Sequence, residues 1–459
     1  MAVVPASVSV ERLAMKRGVC VTTWADGGSY ANVSNVIAGL QELRPWIMRC
    51  NVTQGDTGQR TYINAIRAAC PWLKISGIVG KPWQGGAQAD AQAMVDWLAT
   101  YPAGTFSYFE GCNEWNMFFD QGPAPRPDGQ GGRPTWYANI RAYHQAIYPK
   151  LKARFPGIPV IQPSLGKREG YSLMGNLAGT CDLGNAHAYT GGNAPGTSGD
   201  RITGEIANVR TICGPDPKLI CVTEWGWHNK MDHVTGGHKP TPPDVAAIQC
   251  LPYFCEYDRT DDIAWMSNYE LVDDRAEAPG DEDGGRHERH FGLFELNFTA
   301  IKAQGAAHRN VGRIIERAYS GSVSWGACTI AVTGASDAAV MVYDRPDGRK
   351  IICLWRRGVV IYNNNTRLMV SPAPAAQNVT VTFSAARKVD TFKPHDSSDP
   401  IASLSSTSTT TVTVPLVAEG AMLVVGPTGS TPPDPVDQTV TATFTVGGSS
   451  VSGSYVVTP

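Results

Sequence analysis

Short apolar runs rich in β-branched residues alternate with amphipathic segments between Lys16 and Tyr319, and eight such units can be counted. The runs span residues 18–23, 46–52, 72–79, 105–112, 159–165, 182–189, 218–224 and 263–271. Helical patterns at 90–101, 136–155 and 245–257 carry apolar residues three and four apart, while the runs have the length and bounding turns of buried strands. Repeated βα units demand a parallel sheet, and eight of them suggest a closed (β/α)8 TIM barrel. An open doubly wound sheet competes, but no Gly-x-Gly-x-x-Gly follows the first run to seat a dinucleotide.

The pattern changes after Tyr319. Alternating strands such as 339–343 and 350–355, joined through Asp347-Gly348, and the period-two sets Val379/Val381/Phe383 and Val412/Val414/Leu416 predict a smaller all-β sandwich. The expected division is a barrel at 1–319, a sandwich at 320–427, then a Pro-rich linker and a Thr/Val/Ser-rich tail at 428–459, too short to fold alone. That tail suits self-association or docking to a larger assembly. The opening residues lack a basic region followed by an apolar core, so neither leader nor membrane anchor is expected.

A net charge of -2 disfavours a nucleic-acid partner, whereas twelve Trp and sixteen Tyr suit a neutral, hydroxyl-rich ligand. Eleven Cys without a Cys-x-x-Cys pair or zinc spacing are expected to be reduced and structural, with no metal and no cofactor. The acidic loop Asp281-Glu282-Asp283-Gly284 lacks calcium-loop spacing and is expected to be a solvated turn.

The long loops 120–133, 190–200, 229–243 and 273–290 follow strands, the end of a barrel where sites are built. There the fourth run ends in Asn113-Glu114 and the seventh in Glu224. Hydrolysis of a glycosidic bond with retention needs one carboxyl to protonate the leaving oxygen and another to attack the anomeric carbon, about 5 Å apart.

Phe109-Glu110-Gly111-Cys112-Asn113-Glu114 resembles the Phe-Glu-x-x-Asn-Glu signature of clan A glycoside hydrolases, especially family 39, and Thr223-Glu224-Trp225-Gly226 resembles its partner. Arg49, His187-Ala188-Tyr189 and Phe291-Gly292-Leu293-Phe294 extend the likeness over residues 16–310. It implies a retaining glycosidase, an O-glycosyl hydrolase acting on a polysaccharide or glycoconjugate. Glu114 would be its acid/base, Glu224 its nucleophile, and Asn113 would hold the sugar 2-hydroxyl. Trp115 stands where many relatives have Pro, which affects the local subsite.

Glu110 is expected to be a structural carboxylate on the same face as Glu114, paired with Arg49; Arg49 would equally restrain the nucleophile. His187 and Tyr189 share a face and reach for the nucleophile or a sugar hydroxyl. Trp24, Trp83, Trp115, Trp227 and Trp265 are candidates to stack on sugar rings, and Lys81, Asp26, Asn51 and Asn268 are rim candidates. Two other functions fit the same residues. One is a carbohydrate-binding or adhesive protein without turnover, such as a phage particle component; the other is a transglycosylase using the same dyad.

Overall fold

The computed structural model describes residues 4–23, 28–81, 83–84, 87–115, 133–166, 169–197, 201–214, 219–232, 238–276, 287–428, 438–446 and 449–457. Each expected run contains a parallel strand: β1 (Gly18–Cys20), β2 (Ile47–Val52), β3 (Lys74–Val79), β4 (Tyr108–Glu110), β5 (Val160–Ile161), β6 (Gly184–His187), β7 (Ile220–Trp225) and β8 (Ile263–Asn268). Strands pair in chain order, and β8 returns to β1 through Ser267↔Gly18 and Asn268↔Val19. A single bridge, Ile161↔Leu183, completes the ring between β5 and β6. The strands are shorter than the runs because the apolar residues at their ends continue into loops that are themselves buried.

Helices α1 (Val33–Leu43), α2 (Thr57–Ala69), α3 (Ala91–Leu98), α4 (Arg133–Arg154), α5 (Glu169–Met174), α6 (Arg201–Cys213), α7 (Pro243–Asp258) and α8 (Ala303–Glu316) follow the strands in turn. Asn32, Asp56 and Asp90 cap α1, α2 and α3 by accepting from free amides of the first turn, each worth about 1 kcal/mol. Outward-facing strand residues such as Met48, Cys50, Ile75 and Phe109 pack against these helices. Inside, Ile47, Ile161, Cys221 and Trp265 plug the end of the barrel where the strands begin. Among the described residues no helix is long and apolar enough to cross a membrane.

The all-β part is one sheet folded on itself. Strand Gln377–Phe392 pairs with Ile330–Gly334 over its first half, with Ser406–Leu416 from Gln377 to Val389, and with Ala421–Pro427 over its second half. A break in register between Thr382 and Arg387 marks the fold, giving two layers around Val340, Ile352, Leu354, Val379, Val381, Val414 and Leu423. Strand Val8–Ser9 joins this sheet in parallel, at Val8↔Tyr343.

The other face of the sheet, with Tyr343, Cys353, Trp355 and Val424, packs on α7. Thirteen of the sixteen α7 residues are buried, because barrel and sandwich cover it from both sides; a helix covered all round has no need of a polar stripe. All eleven cysteines are free thiols and buried. The tail forms a two-stranded hairpin, Gln438–Val446 with Ser449–Val457, which among the described residues joins no other sheet. The acidic loop 281–284, Trp24 and Asp26 lie outside the described residues, as does the side chain of Trp83.

Candidate active site

The candidate acids sit where two strands, β4 and β7, end. β4 stops at Glu110, and Gly111 turns the chain so closely against β5 that a Cβ there would meet the Pro163 nitrogen at 2.6 Å. Glu114 then adopts a left-handed φ of 46°, its amide held by Ser164 O at 3.2 Å and Ser164 Oγ at 3.3 Å. Glu110 and Glu114 therefore do not share a strand face, contrary to the period-two expectation. Glu110 lies deeper, with no exposed surface, and Glu114 is raised to the mouth.

On β7 the register slips against β6 between Val222 and Glu224. Regular alternation would send Thr223 and Glu224 to opposite faces, but the irregularity turns both inward. Thr223 Oγ1 meets Asn185, Glu110 and His187, while Glu224 meets Arg49 and Tyr189.

Arg49, 4% exposed, ties the two levels together. It grips Glu110 with Nε and Nη2, both at 2.7 Å, and reaches Glu224 Oε1 with Nη1 at 2.6 Å. Nη2 also donates to Asn113 Oδ1 at 2.6 Å, and Ser164 Oγ donates to the same oxygen at 2.9 Å. This fixes the Asn113 amide so that its NH2 group is the part left to donate to a ligand. Tyr189 donates its hydroxyl to Glu224 Oε2 at 2.6 Å. Burial, and next to it the Glu224 charge, push this phenol well up, so it remains a donor at any ordinary pH.

His187 bridges the acids. Its Nδ1 lies 2.6 Å from Glu114 Oε1 and 3.3 Å from Glu224 Oε2, and its Nε2 lies 3.0 Å from Thr223 Oγ1. The Thr223 hydroxyl donates to Asn185 Oδ1 at 2.6 Å, so it accepts from His187 and Nε2 carries a hydrogen. Glu114 and Nδ1 then share one further proton. One oxygen of Glu114, one of Glu224 and a ring nitrogen of His187 all lie within 4.8 Å of one another. The same trio has the composition of a cation site. However, a tetrahedral ion at about 2.0–2.2 Å from each ligand would spread Nδ1 and the Glu114 oxygen wider than their 2.6 Å hydrogen bond, and Arg49 already offsets the Glu224 charge.

Burial opposes charge on Glu224, but His187 and Arg49, with hydrogen bonds from Tyr189 and Arg49, outweigh it and hold the carboxyl below its usual range. Burial likewise opposes an imidazolium at His187; Glu224 and then Glu114 outweigh it and raise its proton affinity. The His187 contribution to stability is therefore present below the unfolded value of about 6.5 and is lost as pH rises through the folded one. An NMR titration of the ring should give a midpoint above about 6.5, and Glu224→Gln should lower it. A wild-type midpoint at or below the ordinary value would refute the assigned protonation.

Solved glycoside hydrolases share this fold. A glucosidase from Croceicoccus marinus is 12% identical, with 90% of this chain and 96% of that one covered and a TM-score of 0.53. A monomeric β-xylosidase from Caulobacter crescentus CB15 is 14% identical over 93% and 98% of the two chains, at 0.52. A GH51 arabinofuranosidase from Xanthomonas axonopodis pv. citri is 12% identical over 92% and 97%, at 0.50. The chain spans 45% of the length of a Bacteroides uniformis β-glucuronidase that it matches at a TM-score of 0.43, too low to carry an argument. No family model matches the chain, and no curated protein sequence matches it. At these identities the likeness establishes barrel plus sandwich, and the chemistry has to be argued from the side chains.

Six of the expected site residues come together: Arg49, Asn113, Glu114, His187, Tyr189 and Glu224. Trp115 is half-buried next to Glu114 and packs on the core behind it. Two of the proposed stacking residues are not at the mouth. Trp265 is fully buried in the barrel plug, its ring 5.6 Å from that of Tyr108, and Trp227, 2% exposed, packs on Trp225 and Tyr253 toward α7. An enclosed indole has no face to offer a sugar. Of the rim candidates, Asn268 is buried at the end of β8 and Lys81 is exposed beyond β3. Asn185, Ser164 and Thr223 were missed as partners. Asn185 shares a face with His187 and Tyr189 at two-residue spacing, a signal the sequence does contain.

Proposed function

We propose that the protein is a retaining glycoside hydrolase of clan A, with family 39 the assignment its motifs favour, acting on a polysaccharide or glycoconjugate. The observation that carries the reading is the approach of Glu114, Glu224 and His187 to within 4.8 Å. Retaining enzymes set their carboxyl groups about 5–5.5 Å apart, whereas inverting ones leave about 6.5–9.5 Å for a water. In the first step Glu224 attacks the anomeric carbon as the bond to the leaving oxygen breaks, and Glu114 gives that oxygen its proton. In the second, Glu114 takes a proton from water, which attacks the same carbon and releases Glu224. Arg49 and Tyr189 keep Glu224 charged and aimed, the requirement on a nucleophile. His187 holds the Glu114 proton until a leaving oxygen competes for it.

A glycan panel followed by NMR of the first-formed product tests this directly: the retained anomer is expected, and inversion or binding without release overturns it. Glu114→Gln should slow natural substrates by ~10²–10⁴-fold while sparing formation of the covalent intermediate from aryl glycosides whose leaving groups need no acid. Equal losses on both substrate types would assign the proton to another group.

A further inference from the structure

Two barrel loops at the mouth are held by the sandwich. Residues 190–197 follow β6 and Tyr189, and residues 228–232 and 238–242 follow β7 and Glu224. The hairpin Tyr362–Asn363/Leu368–Met369 leaves the sandwich and meets both. Asn364 Oδ1 accepts from the Gly192 amide at 2.9 Å, and the Gly358 amide donates to Pro195 O at 2.9 Å. On the second loop, Tyr362 donates its hydroxyl to Pro240 O at 3.1 Å, and Lys239 Nζ donates to Asn365 Oδ1 at 2.5 Å. The root of the hairpin is fixed as well: Ile361 and Tyr362 are buried in a small apolar cluster with Val245 of α7 and Ala418. Gly192 fits only because it has no side chain, since a Cβ there would stand 2.4 Å from Tyr362 Cδ1.

The two loops meet again over the nucleophile. His238 stacks on Tyr189 with centroids 4.1 Å apart and planes 33° from parallel, and its carbonyl lies 2.7 Å from His228 Nε2. Tyr189 is the residue that donates to Glu224.

We infer that the sandwich is a working part of the active site: through Tyr362 and Asn364 its hairpin clamps the two loops that place Tyr189, backed by His238, on Glu224. Resting on the glycosidase reading, this makes Asn364 and Tyr362 positioning residues that act through Tyr189 and touch no reacting atom. Glu224 is faced by Arg49 from β2, Cys20 from β1, His187 and Tyr189 from β6 and its loop, Glu114 beyond β4 and Tyr269 beyond β8. Of these, Tyr189 is the one on which His238 stacks and which opens the loop that Asn364 holds.

The experiment uses the full chain with three variants. Asn364→Ala removes the acceptor, Asn364→Asp keeps it, and Gly192→Ala pushes the hairpin away from the barrel side. Losing one neutral hydrogen bond at the nucleophile predicts a fall in kcat of ~3- to 10-fold for Asn364→Ala. The acid limb of the pH profile should move up, because Glu224 has lost a donor. Asn364→Asp should behave as wild type, and the Gly192→Ala/Asn364→Ala pair should lose no more than either single variant. Hydrogen exchange should speed up at 188–197 and 238–241 but not in α3. An unchanged kcat and acid limb in Asn364→Ala, or faster exchange everywhere including α3, overturns the clamp. If the wild type hydrolyses no glycoside, the catalytic reading falls by itself and exchange alone decides. Loosening of both loops in Asn364→Ala and its rescue in Asn364→Asp uphold the clamp, and unaltered exchange removes it.

Discussion

Arg49→Met should destabilise the protein by about 3–5 kcal/mol, the cost of leaving a buried charge unpaired. Four hydrogen bonds to oxygen disappear at once, two to Glu110 and one each to Glu224 and Asn113, together with a weaker one to Cys20 Sγ. Glu110 has no exposed surface, so water cannot replace them. Against a typical total of about 5–15 kcal/mol, such a loss is a large fraction of stability. The double variant Arg49→Met/Glu110→Gln should recover part of it, because the orphaned charge is gone. Arg49→Lys should not, since one ammonium cannot span three carboxylate and amide partners in fixed directions. Chemical denaturation measures all three. A midpoint for Arg49→Met equal to wild type would show that the barrel tolerates a bare buried carboxylate and that the pair is no support.

Glu224→Ala should lower hydrolysis of every substrate by on the order of 10⁴-fold or more, aryl glycosides included, as expected when a nucleophile is removed. Stability should change far less than in Arg49→Met, because Arg49 keeps its hydrogen bonds to Glu110 and Asn113. A small nucleophilic anion such as azide has room in place of the lost carboxylate. It should restore turnover of an aryl glycoside and give a glycosyl azide of inverted configuration, since one displacement then replaces two. Full activity of the purified variant, or a rescued product with retained configuration, would remove Glu224 from its role.

Much of the fold was readable because its periods are strong: eight runs placed eight strands, and the two glutamates fell at strand ends as the runs implied. The errors share a physical cause. Strands of a parallel barrel are buried on both faces, so apolar letters do not say which side chain points inward. Trp227 and Trp265 lie at or near strand ends, where stacking on a sugar is expected, yet one packs toward α7 and the other plugs the barrel floor. Thr223 was hidden by the register slip that turns two consecutive residues to one face. The left-handed turn at Glu114 was equally invisible, since nothing local requires a glutamate there. The contact of the hairpin with Gly192 joins residues far apart in the chain, and no periodicity reports it.

The strand Val8–Ser9 has a consequence for how the chain is made. Its partners are Tyr343 and Asp344, which leave the ribosome on the order of tens of seconds later at ~5–20 residues per second. Every barrel strand is synthesised in that interval, while Val8–Ser9 waits without its neighbour. The partner of Val8–Ser9 is thus made only after the whole barrel, so a chain stopped short of residue 343 should leave that segment unpaired and open to proteases.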